Sequence, residues 1–101
     1  MAEILIEREH RMDLAGARQA AAQWVLQAEE KFDLRCTYEQ GSDEDQVSFS
    51  RPGMTGLLKV NSQRFEIQAE LGFLLGAFKD RIESEIVKNL DALLNPVADA
   101  G

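Results

Sequence analysis

Four places in this chain hold residue types that do chemistry elsewhere, and each lacks the company such chemistry needs. His10 is the one histidine, standing where an opening strand hands over to a helix. A zinc site draws on several nitrogen or sulfur ligands, and a general base needs a partner placed beside it. Glu9 and Asp13 are only neighbours in sequence, so His10 reads as a polar junction residue. Cys36, the one cysteine, falls on the inner face of a strand beside Tyr38. It reads as a buried, inert thiol rather than a nucleophile. Asp43-Glu44-Asp45 lacks the alternating ligands and closing bidentate glutamate of a calcium loop, and is expected to be a solvated hairpin tip. Arg51-Pro52-Gly53-Met54-Thr55-Gly56 carries two glycines but does not lead from a strand into a helix, where amides converge on phosphate. It reads as a hairpin turn. No two carboxylates sit in an apolar setting that would split their pKa values. The expectation is a non-enzyme with no catalytic residue, no cofactor and no metal ligand.

Composition narrows the class further. A chain of 101 residues, 45% of them hydrophobic, is one globular domain able to bury roughly 65% of its unfolded surface. The net charge of -7 argues against a nucleic-acid partner, because clustered Lys and Arg supply most of the affinity for a phosphate backbone. Basic residues are scattered and sit beside acids, as in Glu7-Arg8-Glu9 and Lys79-Asp80-Arg81. One cysteine allows no internal disulfide. Met1-Ala2-Glu3-Ile4 has no basic stretch leading into an apolar core, so no secretory leader is expected. No apolar run approaches the roughly 18 residues of a membrane span. A cytoplasmic protein is expected.

The elements that would position these residues follow from periodicity. Ile4 and Ile6 alternate with glutamates as a short strand. Asp13 is a good N-cap for a helix ending near Asp33, with Leu14, Ala17, Ala21, Val25, Ala28 and Phe32 as its stripe and Trp24 on the flank. From Leu34 the period becomes two: Cys36 and Tyr38, then Val47 and Phe49, then Leu58 and Val60 within Thr55 to Val60, then Phe65, Ile67, Ala69 and Leu71. A last helix is expected from about Ala77 to Leu94, with Phe78, Ile82, Ile86, Leu90 and Leu93 inward. Asn95-Pro96 stops it, and 95–101 reads as a loose tail. The order β-α-β-β-β-β-α predicts an α+β domain over 3–94: two layers, an antiparallel sheet of about five strands, and both helices on one face.

Phe73-Leu74-Leu75, between Gly72 and Gly76, stands apart from this plan. The first reading is core closure where the last strand passes to the last helix. The alternative is a contact surface formed by Phe73, Leu74, Leu75 and Phe78, since contiguous exposed apolar surface on a small protein marks an interaction site.

Two segments, Phe49-Ser50-Arg51-Pro52-Gly53-Met54-Thr55-Gly56-Leu57-Leu58-Lys59-Val60 and Leu71-Gly72-Phe73-Leu74-Leu75-Gly76-Ala77-Phe78-Lys79 with Ile82-Glu83, Ile86 and Asn89-Leu90-Asp91, resemble the polyhydroxyalkanoic acid system proteins. The opening Ile4-Leu5-Ile6-Glu7-Arg8-Glu9-His10 is similar to that family too, so the resemblance covers residues 3–94. It implies a bacterial pathway, polyhydroxyalkanoate (PHA) storage, and carries over no catalytic residue. The leading expectation is then an accessory protein that meets a PHA granule or a granule protein through its apolar surface. One alternative is a small carrier of an acyl ligand, its cavity lined by Phe49, Leu58, Phe65, Ile67 and Phe78. Another is a homodimer joined through the Phe73 region.

Overall fold

A computed structural model of the protein describes residues 2–94; the tail expected over 95–101 lies outside them. The elements are β1 (Ala2–Glu9), α1 (Leu14–Lys31), β2 (Arg35–Glu39), β3 (Glu44–Arg51), β4 (Met54–Asn61), β5 (Arg64–Leu71), a single turn α2 (Phe73–Gly76) and α3 (Lys79–Leu94). The strands form one sheet in the order β1-β5-β4-β3-β2, antiparallel throughout. The fold is therefore the expected α+β arrangement, with α2 as an added turn.

The sheet is dry on one face because the alternation in each strand is kept in register with the next. Ile6, Ile67, Leu58, Val47 and Tyr38 form one cross-strand row, and Ile4, Ala69, Gly56, Phe49 and Cys36 form another. A slip of one residue would turn each row over to solvent, so burial itself fixes the register. The opposite face carries Glu3 across from Glu70 and Glu7 across from Glu66. Like charges so placed repel, which suits a face left to water.

Both helices lie over the dry face. Asp13 caps α1 as expected, its carboxylate accepting the Gly16 amide at 2.8 Å. The buried stripe of α1 is Ala17, Ala20, Ala21, Trp24 and Ala28, with Val25 only half-buried beside it. The correction moves Trp24 from the flank to the centre. Small alanines bring the helix near the sheet, and the Trp24 indole reaches down to Phe49, with ring centroids 5.3 Å apart. On α3, Ile86 and Leu90 are buried and Ile82, Val87, Leu93 and Leu94 pack around them. Arg8 of β1 bonds Asp91 of α3 at 3.0 Å.

Gly56 is required by Phe49. The two are paired across β3 and β4, and a Cβ at Gly56 would run into the Phe49 ring while lying 2.7 Å from the Gln68 carbonyl. Backbone on one side and an aromatic ring on the other leave no room to adjust. Gly56→Ala is expected to lower stability by about 1–3 kcal/mol, the usual cost of overpacking. Urea unfolding would measure that loss, and the near-ultraviolet circular dichroism of Trp24 would report displacement of Phe49.

Candidate functional site

The end of β5 is where the apolar cluster meets the rest of the fold. Gly72 leaves the sheet in an extended conformation, and its amide donates to the Gly53 carbonyl at 2.7 Å. Gly53 itself has φ +87°, a left-handed conformation natural to glycine. This bond fastens α2 to the β3–β4 turn. Leu75 then lies over Gly53, close enough that a Cβ there would sit 3.2 Å from Leu75 Cδ1.

That single inward side chain overturns the core-closure reading for its neighbours. Phe73 is 92% exposed and Leu74 79%; only Leu75 is half-buried. Phe78 also departs from the expected inward stripe, at 57% exposed. The reason is a break in helical phase. The chain turns at Ala77–Phe78, and α3 starts at Lys79 rather than Ala77. The Phe78 carbonyl accepts the Ile82 amide at 2.9 Å, so Phe78 stands at the mouth of the helix with its ring outside the stripe. The four residues proposed from sequence are thus neighbours in space, three of them facing water.

Behind Leu75 and Phe78 lies an apolar pocket of about 280 Å³. Its floor is Trp24, Phe49, Met54 and Ile86, all buried; Ile82 and Leu75 form its shoulders. Exposed Phe78, Arg51 and Arg81 stand at its rim. Of the residues expected to line a cavity, only Phe49 and Phe78 do so. Leu58, Phe65 and Ile67 are fully buried in the core, where Ile67 pairs with Leu58 and Val60 with Phe65.

The junction histidine is engaged at both ring nitrogens. His10 Nε2 lies 2.8 Å from the Asn61 carbonyl, and Nδ1 accepts the Met12 amide at 3.1 Å. A carbonyl only accepts and an amide only donates, which fixes the Nε2–H tautomer. The ring also stands edge-on to Phe65, with centroids 5.4 Å apart. Cys36 is half-buried; burial pushes its thiol pKa up, and Glu29 adds to the shift. A thiol raised in this way carries little thiolate at neutral pH. Among the described residues, no three His, Cys, Asp or Glu side chains come together as a metal would require. No helix among them is long and apolar enough to cross a membrane.

The acidic run is the larger surprise. Glu44 and Asp45 belong to β3, and Asp45 is fully buried rather than at a solvated tip. Its Oδ2 accepts Arg18 Nε at 2.9 Å and the Tyr38 hydroxyl; its Oδ1 accepts Arg18 Nη2 at 3.2 Å and the Gly41 amide at 3.0 Å. Arg18 Nη2 also donates to the Gly41 carbonyl at 2.7 Å. One carboxylate therefore joins α1, β2, the β2–β3 turn and β3. Asp45 lies two residues before Val47 and four before Phe49, so strand alternation places it inward. That periodic signal was present beneath the acidic composition. Burial alone would raise the Asp45 pKa, but the bonds from Arg18, Tyr38 and Gly41 outweigh it and hold the carboxyl below its ordinary value. Burial and the bond to Asp45 push the Tyr38 hydroxyl up to about 12.

Comparison with known proteins places these features in a family setting. The family described as Putative polyhydroxyalkanoic acid system protein matches residues 4–94. No curated protein matches the chain.

The Asp45 cluster predicts stability at both ends of the pH scale. A carboxyl with a depressed folded pKa contributes stability above its unfolded value of 3.8, and loses it as pH falls through the folded value. Asp45→Asn should flatten the acid limb of a stability–pH profile. Tyr38 acts oppositely: its contribution is intact below pH 10.0 and lost as pH rises towards about 12, so Tyr38→Phe should flatten the alkaline limb. Arg18→Met strands the buried carboxylate and should lower stability at neutral pH, read as a lower denaturant midpoint in chemical denaturation.

Proposed function

The chain belongs to the polyhydroxyalkanoic acid system protein family, and from that premise we propose that it is a non-enzymatic accessory protein of PHA storage. In this reading it adheres to the polyester surface of a cytoplasmic granule through Phe73, Leu74 and Phe78. The observation that carries the reading is the exposure of these large apolar side chains side by side on a short, braced turn. Leu5 and Leu26 are exposed too, but scattered apolar residues are ordinary on a surface.

The strength of the contact follows from area. Burying a large apolar side chain contributes about 1.5–3 kcal/mol, and Phe73, Leu74 and Phe78 together still have roughly two side chains' worth to bury. The gross gain is then on the order of 5 kcal/mol, similar in size to the ordering costs of association. One molecule would hold weakly and exchange, while its net charge of -7 keeps the unbound protein soluble. The engaged nitrogens of His10 and the raised Cys36 thiol support the non-enzymatic part of the reading.

Co-sedimentation with amorphous polyhydroxybutyrate particles tests it. The wild-type protein should pellet with the particles, and the Phe73→Ser/Leu74→Ser variant should stay in the supernatant. The variant's stability should stay within about 0.5 kcal/mol of wild type, because both side chains are exposed. A wild-type protein that never pellets, or a variant that pellets equally, overturns the reading. A variant that turns a dimer into a monomer without changing sedimentation would make the patch a subunit contact instead.

A further inference from the structure

The pocket behind Leu75 and Phe78 has a charge pattern that its surroundings do not share. The chain carries 18 acidic and 11 basic residues, excluding histidine, yet among the described residues the only charged ones lining the pocket are Arg51 and Arg81. Among the described residues neither arginine forms an ion pair with a carboxylate. Arg51 Nη1 donates to the Phe32 carbonyl at 3.0 Å, which holds the guanidinium at the rim with its other N–H groups available. Arg81 sits in the first turn of α3, where the helix dipole disfavours a cation and favours an anion. Two cations thus stand beside a floor of Trp24, Phe49, Met54 and Ile86, and no acidic residue is in the described lining.

We propose that this pocket binds an amphiphilic anion, a single medium-length alkanoic acid with its chain on the apolar floor and its carboxylate between Arg51 and Arg81. Guanidinium and carboxylate match in charge and in planar geometry, and such bonds are about twice as strong as neutral ones. Size limits the ligand from both sides. An apolar cavity of about 150 Å³ already holds benzene, so about 280 Å³ admits something longer. It lies just below the range of about 300–1,000 Å³ for drug-sized ligands, so a nucleotide-bearing thioester would leave its handle outside. This inference shares only Phe78 with granule adhesion; the other two adhesive side chains, Phe73 and Leu74, do not line the pocket.

Trp24 is the one tryptophan of the chain and part of the pocket floor, so its fluorescence reads occupancy directly. Titration with octanoate, below its micelle concentration, should give a saturable change with an affinity at least tenfold above that for 1-octanol. Octylamine should bind more weakly still. Arg51→Gln/Arg81→Gln, at two exposed positions, should abolish the preference for acid over alcohol while retaining the weak alcohol response. Phe73→Ser/Leu74→Ser should bind octanoate as wild type does. Absence of a saturable octanoate response, equal affinity for all three head groups, or an unchanged preference in the double arginine variant would overturn the proposal. Loss of octanoate binding in the Phe73→Ser/Leu74→Ser variant would place the ligand on the outer surface, and would overturn it equally.

Discussion

One backbone hydrogen bond, from the Gly72 amide to the Gly53 carbonyl, decides what the chain does after its last strand. Without it, a strand ending in Leu71 and followed by Phe73-Leu74-Leu75 would be free to fold its apolar residues inward. With it, the backbone is held against the β3–β4 turn, and only Leu75 has reach enough to cover Gly53. The next two residues with large apolar side chains before it are left outside. The helical phase then breaks at Ala77–Phe78, which adds a further ring to the exposed set. The two stretches that together carry the family resemblance, Phe49 to Val60 and Leu71 to Lys79, are therefore joined physically at this bond.

The same fastening explains why the pocket and the exposed cluster share a border. Leu75 faces the pocket because it is turned over Gly53; Phe78 stands at the rim because α3 starts after it. Elsewhere the dry face is filled. Alanines on α1 let that helix approach closely, and Leu58, Phe65 and Ile67 occupy the centre of the core. Towards Met54 the covering elements are an indole, the start of α3 and one turn of helix, and their shapes leave the space unfilled. The anchor for the opposite corner is polar instead, with Asp45 binding Arg18, Tyr38 and Gly41. A fully satisfied network of this kind fixes geometry, whereas a partly satisfied one would weaken the core.

The strands were legible because one face of each is wet, and Phe65 to Leu71 alternates without interruption. The first helix was legible from Asp13 and its alanines. Its rotation was harder to read: Val25 and Trp24 differ by one step of helical phase, and the choice depends on Phe49 across the layer. Asp45 was obscured by composition, since three consecutive acids look like solvent-facing loop, and its partner Arg18 lies far away in sequence. The exposure of Phe73 and Leu74 could not be read locally because it depends on Gly53, a residue in a different turn. The two arginines at the pocket rim come from β3 and α3, and only the packing of those elements brings them to one opening.

The position of β1 has a kinetic consequence. It is first in the chain, yet its one partner in the sheet is β5, with Ile6 opposite Ile67. Strands β2 to β5 form a meander of neighbouring hairpins whose contacts are local and close early at little entropic cost. The opening strand must wait for the fifth before it has an edge to join, and α3 meets it only later, through Asp91 and Arg8. During synthesis the β1 residues emerge well before their partner strand and are thus among the last to be ordered, and Ile4 and Ile6 stay uncovered in the interval. Glutamates on either side of them, at positions 3 and 7, act as gatekeepers against pairing with other chains during that delay.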